Sequence, residues 1–359
     1  MGRHVMKQKA YSLLLMLLVA LGQCKEAYEF DTFDQPDLLV VSGYVSDQPG
    51  PYPLFLGTTI GAKKTYPKPV LDAVAYLTDG DGNSESYESI GNGNYQLLGN
   101  KITGQPGGSY RLHITLADGR TYQSTLEVMP TSSKASDVVN VGVIQVKVLG
   151  FEDVPIDRWQ INVNMTTTFQ PPNNGYYRWS VEEVYMLVPT CFPGAFSCPD
   201  ICYITAPYSP YQLNVVDRSN YSSPTIQGIQ LLNHDVDYTF SSRHYFNVTQ
   251  YGMNASCFGY WQRVKELVLR RGSIFDAPPA TIRGNVSNVA DPNEIVLGYF
   301  EASQVQVTRK FIDRGEIPSP LHVPTCFYYD PDYYLYKPHY CSYCLNIEGA
   351  KKEPPSWFW

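Results

Sequence analysis

The run His234-Asp235-Val236-Asp237 could provide a metal ligand with a carboxylate partner, and His244 follows ten residues later. Imidazole nitrogens and carboxylates both ligate divalent cations. Taken locally, the run reads as a polar turn. Five histidines, His113, His234, His244, His322 and His339, follow the first strongly apolar stretch, and none falls in an HExxH, while GxSxG, P-loop and dinucleotide fingerprints are also missing. Glu182-Glu183 offers two carboxylates of the kind glycoside hydrolysis uses. Neighbours on a strand project to opposite faces, so the two cannot act on one bond, and an exposed sheet edge is the simpler account. Asp79-x-Asp81-x-Asn83-x-Glu85 has the alternating oxygen donors of a calcium loop. Ser84 stands where the glycine belongs and Ile90 where the bidentate glutamate belongs, so a solvated hairpin is expected.

Cysteine offers two further chemistries. Cys24 closes an apolar run, Leu13 to Leu21, that follows the basic residues Arg3, Lys7 and Lys9. The stretch from Ala10 to Leu21 would span about 18 Å as a helix, too short for a bilayer core of about 30 Å, and so reads as a signal-peptide core. Leu21-Gly22-Gln23-Cys24 resembles a lipobox, with Gln23 departing from the usual small residue. Lipid on Cys24 would anchor the chain firmly, since two acyl chains suffice for stable residence. Lys25-Glu26, with Glu29 and Asp31, resembles a charged tether that directs some lipoproteins to the cell surface.

The other seven cysteines, Cys191, Cys198, Cys202, Cys257, Cys326, Cys341 and Cys344, all lie in the second half. An exported compartment favours disulfides among them over a zinc site built from Cys198, Cys202, Cys341 and Cys344 with His322 or His339. The odd number leaves at least one without an intrachain partner, and the connectivity stays open. Between Cys326 and Cys344 lie Tyr328, Tyr329, Tyr333, Tyr334, Tyr336, Tyr340 and Tyr343. Of these, Tyr328, Tyr329, Tyr333, Tyr334 and Tyr336 are candidates to stack on a glycan or peptide, since aromatic rings bind with little loss of rotamer entropy. The competing reading is that they cap a sandwich core. Five Asn-x-Ser/Thr triplets, at Asn164, Asn220, Asn247, Asn254 and Asn285, are taken as incidental.

The elements that must position these residues are mostly strands. Removal of residues 1–23 takes three of the 27 basic residues and none of the 34 acidic ones, leaving 24 against 34, a balance of −10 that argues against nucleic acid. The remaining 336 residues exceed what one core usually fills, and 29 Tyr, 27 Gly and 27 Pro favour strands and turns. The sequence therefore predicts a mainly β, two-domain β-sandwich protein. Its parts are a signal peptide (1–23), a lipidated tether (24–36), an N-terminal sandwich (37–130), a linker (131–136) and a second β-rich domain (137–359) with a Cys/Tyr-rich insertion.

Strands are expected at Leu38 to Val45, Val70 to Thr78, Gly93 to Leu98, Ser109 to Leu116 and Thr121 to Val128. In the fourth, Tyr110, Leu112 and Ile114 alternate with Arg111, His113 and Thr115. Further strands are expected at Asp137 to Leu149, Trp159 to Phe169, Tyr176 to Val184, Ile295 to Phe300 and Gln304 to Phe311. One amphipathic helix is predicted from about Ser256 to Arg271, with Phe258, Trp261, Val264, Leu267 and Val268 on its apolar face.

Several of these fragments occur together in a recognisable order: Cys24, Leu39-Val40-Val41-Ser42-Gly43, Gly107-Gly108-Ser109-Tyr110-Arg111-Leu112, Tyr176-Tyr177-Arg178-Trp179, Gly284-Asn285-Val286, Asp291-Pro292, Val296-Leu297-Gly298-Tyr299-Phe300, Cys341-x-x-Cys344 and Trp357-Phe358-Trp359. In this order the chain resembles a family of Bacteroidota envelope lipoproteins that carries a domain-of-unknown-function label. The resemblance implies an N-terminal sandwich of the transthyretin-like or carboxypeptidase-regulatory type and a place beside TonB-dependent outer-membrane receptors. It supplies no catalytic residues. Together these features predict a non-enzymatic, outer-membrane, lipid-anchored protein that requires no cofactor and no metal. Its expected partners are the membrane, a TonB-dependent receptor and a glycan or peptide ligand. A structural or adhesive surface protein, or a hydrolase with an unfamiliar site, are the competing readings.

Overall fold

Alternating apolar and polar positions dominate the chain, and the protein is mainly β, as the sequence predicts. The computed structural model describes residues 37–59, 68–131, 134–150, 154–170, 175–188, 200–206, 213–269, 281–318 and 344–359. The first part supplies β1 (Leu39–Ser46), β2 (Tyr52–Thr58), β3 (Lys68–Pro69), β4 (Val74–Asp79), β5 (Ser84–Ser86), β6 (Glu88–Gly91), β7 (Asn94–Leu97), β8 (Ser109–Thr115), β9 (Thr121–Ser124) and β10 (Glu127–Val128). Then come β11 (Ser136–Leu149), β12 (Pro155–Thr168), β13 (Tyr176–Leu187), β14 (Cys202–Thr205), β15 (Asn214–Asp217), β16 (Thr225–Asp235) and β17 (His244–Met253). Helix α1 (Ala255–Leu269), β18 (Val286–Asn288), β19 (Leu297–Ile312) and β20 (Ala350–Lys351) complete the described elements.

One long sheet runs in the order β20-β14-β13-β17-β19-β1-β2-β7-β6, with β15 on β13 and β3 on β2. A second sheet, β18-β9-β8-β4-β5 with β10 on β8, and a three-stranded sheet, β11-β12-β16, complete the set. The first core lies between the long and second sheets, with Val41, Leu54, Leu56 and Leu97 from one and Leu77, Leu112, Ile114 and Tyr122 from the other. The predicted alternation in β8 holds: Tyr110, Leu112 and Ile114 are buried, and Arg111, His113 and Thr115 are half-buried. Val286, Val296, Phe300 and Ala302, far along the chain, fill the same core. The second core lies between β13 and β17 of the long sheet and the three-stranded sheet, with Trp179, Val181, Phe246 and Val248 facing Ile161, Val163, Met165 and Leu232.

The two predicted segments around Val296 and Gln304 form one continuous strand, β19, which pairs with β1 in parallel and with β17 antiparallel. At the start of this strand Gly298 takes φ +85°, and a Cβ there would lie 1.9 Å from the Val41 carbonyl oxygen. Only glycine permits that approach without moving backbone.

The Asp79 to Glu85 run forms a hairpin as expected. Asp79 accepts hydrogen bonds from the Asp81 and Asn83 backbone N–H groups and from the Asn83 side chain. Glu85 is buried and secures the loop after β7, where its carboxylate accepts four backbone N–H groups, from Gly99, Asn100, Lys101 and Ile102, at 2.8–3.0 Å. Burial pushes this carboxyl up, but the four donors outweigh it and hold it below the ordinary glutamate range. The depressed pKa means that its stabilisation is complete above about pH 4.3 and is lost as the pH falls through the folded-state value. Glu85→Gln, which turns an amide NH₂ toward two of the donors, should cost about 1–3 kcal/mol at neutral pH. Urea unfolding at pH 7 and pH 3 checks this: the gap between wild type and variant should close at the lower pH.

Candidate functional site

Two polar clusters sit on opposite faces of the long sheet, because β13 and β17 alternate their side chains. Odd residues of β13 and even residues of β17 face the three-stranded sheet. Glu183 and His244 share that face as diagonal neighbours, since Glu183 pairs with Phe246 and Tyr185 with His244. His234, near the end of β16, reaches the same point from the three-stranded sheet. Its Nδ1 lies 2.6 Å from Glu183 Oε2, and His244 Nε2 lies 2.9 Å from that oxygen. The remaining ring nitrogens also face acceptors: His244 Nδ1 is 3.3 Å from the Thr239 carbonyl, and His234 Nε2 is 3.6 Å from Asp237 Oδ2.

Burial raises the Glu183 carboxyl, but hydrogen bonds from His234 and His244 outweigh it and bring it down to about 2. Burial disfavours charge on His234, yet the Asp237 and Glu183 carboxylates facing its two ring nitrogens hold its pKa up at about 10. His244 is fully buried, with Phe240 stacked at 4.3 Å and Phe246 at 4.8 Å between ring centroids. The side chains of Glu183 and His234 retain 17% and 26% exposure, so the cluster opens to solvent on their side.

Local patterns in the sequence misplace Glu183 and His234. Glu183 does not lie on an exposed sheet edge, because β13 is flanked by β17 and by β14 and β15. The alternation of faces itself holds: Glu182 is exposed and accepts from Asn247, while Glu183 points inward. His234 belongs to strand β16 and not to a turn. With Glu183 51 residues from His234 and 61 from His244, spacing carries no signal of their meeting.

On the other face, α1 covers a buried ion pair. Arg178 Nη2 donates to Glu301 Oε1 at 2.7 Å, reaching across β17, and both side chains are 7% exposed. The guanidinium lies 3.9 Å from the Tyr251 ring and 4.2 Å from the Trp261 ring of α1. Ser303 and Cys257 both donate to Glu301 Oε2 at 3.2 Å. Nearby, the buried Glu127 carboxylate accepts from Thr125, Asn254, Asn285 and Tyr299. Burial and then Glu127 push the Tyr299 hydroxyl far up. Asn285 also accepts from the Phe300 N–H and donates to the Phe300 carbonyl. An open cleft of about 660 Å³ lies beside this network, with Arg263, Arg283, Asn254 and Glu127 in its wall.

Helix α1 spans Ala255–Leu269, starting one residue before the predicted position. Asn254 caps it by accepting from the Cys257 N–H at 2.9 Å, which gives this residue a structural role outside its Asn-x-Ser triplet. Cys257 fits the expectation that at least one of the seven cysteines lacks an intrachain partner. It is a free thiol within α1, engaged with Glu301, and not one of the disulfide cysteines. Burial and then the Glu301 charge push the thiol well up, so it stays protonated and is a poor nucleophile.

Cys202 and Cys344 do form a disulfide, which takes both from the alternative zinc set. Cys191, Cys198, Cys326 and Cys341, together with His322, His339 and the candidate ligand-binding Tyr328, Tyr329, Tyr333, Tyr334 and Tyr336, lie outside the described residues, as do Cys24 and the signal segment. Among the described residues no helix is long and apolar enough to cross a membrane.

A family model described as "Domain of unknown function (DUF4249)" matches residues 25–309. No curated protein matches the chain.

Proposed function

We propose that this chain, which belongs to the family described as Domain of unknown function (DUF4249), is a non-enzymatic outer-membrane lipoprotein that serves a TonB-dependent nutrient receptor as an accessory or ligand-capture partner. The observation that carries the reading is Cys24. It closes an apolar run too short to span a bilayer, and the family match begins at the residue that follows it. Two or three acyl chains on its thiol and new N-terminus would hold the mature chain at the membrane surface.

Binding in place of catalysis is supported by the polar groups beneath α1. Cys257 is held protonated, and the Glu127 and Glu301 carboxylates spend their acceptor capacity on internal donors. A carboxylate tied up in this way stabilises the scaffold and has little capacity left for a substrate proton. The tyrosine-rich segment from Tyr328 to Tyr336 is the proposed ligand surface, with a glycan or a peptide as the ligand class.

The expected result is that chain immunoprecipitated from detergent-solubilised outer membranes brings down a receptor barrel. Cys24→Ser should move the protein to the soluble fraction and remove that recovery. Reproducible absence of a barrel from the wild-type precipitate, with the chain still in the membrane fraction, would sink the receptor assignment and leave the anchor intact.

A further inference from the structure

We propose that Glu183, His234 and His244 form a binding site for a divalent first-row transition cation of the zinc type, which ties the three-stranded sheet to the long sheet. Two imidazole nitrogens and one carboxylate oxygen lie within 4.8 Å of one another. Two His and one Glu are a known zinc donor set, and donors about 2.0–2.2 Å from a tetrahedral ion lie roughly 3.3 Å apart. The separations of 2.6 and 2.9 Å on Glu183 therefore need to open by roughly 0.7 and 0.4 Å to reach that spacing.

The balance of donors and acceptors around His244 points the same way. One ring nitrogen faces the Thr239 carbonyl oxygen and the other faces the Glu183 carboxylate. Both neighbours only accept, so the line between Nε2 and Glu183 must carry a positive centre, either a proton or a metal ion. His234 stands in the same position, between Glu183 and Asp237. A cation at the common point replaces the protons that Glu183 shares with the two rings and releases them to solvent.

The surroundings suit a metal as well. Metal-bound histidines characteristically turn their outer N–H to a carboxylate or backbone carbonyl, which fixes the ring and raises its basicity. Asp237 and the Thr239 carbonyl are placed to do this for His234 and His244 respectively. Phe240 and Phe246 hold the His244 ring from its faces and keep water from that side. The partial exposure of Glu183 and His234 provides an entry route and a position for a fourth ligand.

The site goes beyond the receptor reading and stands or falls without it. The test uses the full chain in detergent, kept oxidised so that the Cys202–Cys344 bridge stays intact and stripped with a chelator. It is titrated with Zn²⁺ by calorimetry and with Co²⁺ by visible absorption. The expected result is one ion per chain, with tetrahedral cobalt d–d bands and no thiolate-to-cobalt charge-transfer band. His234→Ala, at the most exposed of the three ligands, should weaken binding by about 100-fold or more, and Asp237→Asn by about 10-fold. Circular dichroism confirms that each variant is folded. The Asp237 variant carries the test if the His234 variant is not folded. Lack of stoichiometric binding, undiminished affinity in the folded variants, or a cobalt spectrum dominated by thiolate charge transfer would overturn the site.

Discussion

Glu301→Gln should destabilise the protein by about 3–5 kcal/mol, the range for removing one partner of a buried ion pair and leaving the other charge uncompensated. Arg178 cannot shed its proton at any accessible pH, so the variant must keep a guanidinium buried without this carboxylate. Tyr251 and Trp261 offset part of that cost, since a desolvated cation over an aromatic face gains roughly 2 kcal/mol. Cys257 and Ser303, which donate to the carboxylate in the wild type, lose the stronger half of a charge-assisted hydrogen bond.

A double-mutant cycle separates the pair from its surroundings. Arg178→Met leaves Glu301 buried with only neutral donors and should also be costly, whereas the double variant should lose far less than the sum. Urea unfolding of the four proteins gives the coupling energy. A Glu301→Gln cost below about 1 kcal/mol would mean that water reaches the pair and that α1 does not seal it.

The contrast between the two polar clusters explains how far the sequence alone can be followed. The strand pattern is legible because each strand carries its own signal. Tyr110, Leu112 and Ile114 alternate with polar residues and are buried as that alternation requires. Helix α1 is legible for the same reason, since Phe258, Trp261 and Val264 recur at helical spacing and pack on the sheet.

What local patterns do not carry is pairing between distant strands. The parallel contact of β1 with β19 joins opposite ends of the chain. In the sequence Gly298 stands out only as part of a recurrent fragment, and not for the close approach to Val41 that requires it. The Glu183 cluster depends on two such long-range events: the β13–β17 ladder sets Glu183 beside His244, and the packing of β16 brings His234 over both. Glu182-Glu183 reads in the sequence as a pair of acids, and the partner that matters to Glu183 is a histidine on another sheet. His234 and Asp237 stand together by local spacing and do interact, which is the portion of the site that four consecutive residues can reveal.

Reduction of Cys202–Cys344, or Cys344→Ser, should cost about 2–4 kcal/mol. The bridge spans 142 residues, and closing a loop of that length in the unfolded chain carries a large entropic term, about 4–5 kcal/mol before native-state effects reduce it. In the folded state it holds the closing segment, residues 344–359, whose other attachments are modest. The edge strand β20 pairs with β14 through only two residue pairs, Tyr203 with Lys351 and Ile204 with Ala350. Beyond them Phe358 is fully buried against Tyr203 and Tyr245, and Tyr245 donates to its carbonyl at 2.8 Å.

Burying one phenylalanine contributes about 1.5–3 kcal/mol, so without the bridge the tail should open more readily than the core unfolds. Hydrogen exchange should then show a loss of protection at Ile204 and Phe358 in Cys344→Ser, with Val181 and Val248 in the second core little changed. Trp357→Ala should reproduce part of the local effect without shifting the global midpoint comparably, because that ring packs only at the edge of the same cluster. Uniform acceleration across β13, β17 and the tail would instead mean that the bridge stabilises the whole fold and that the tail is no separate opening unit.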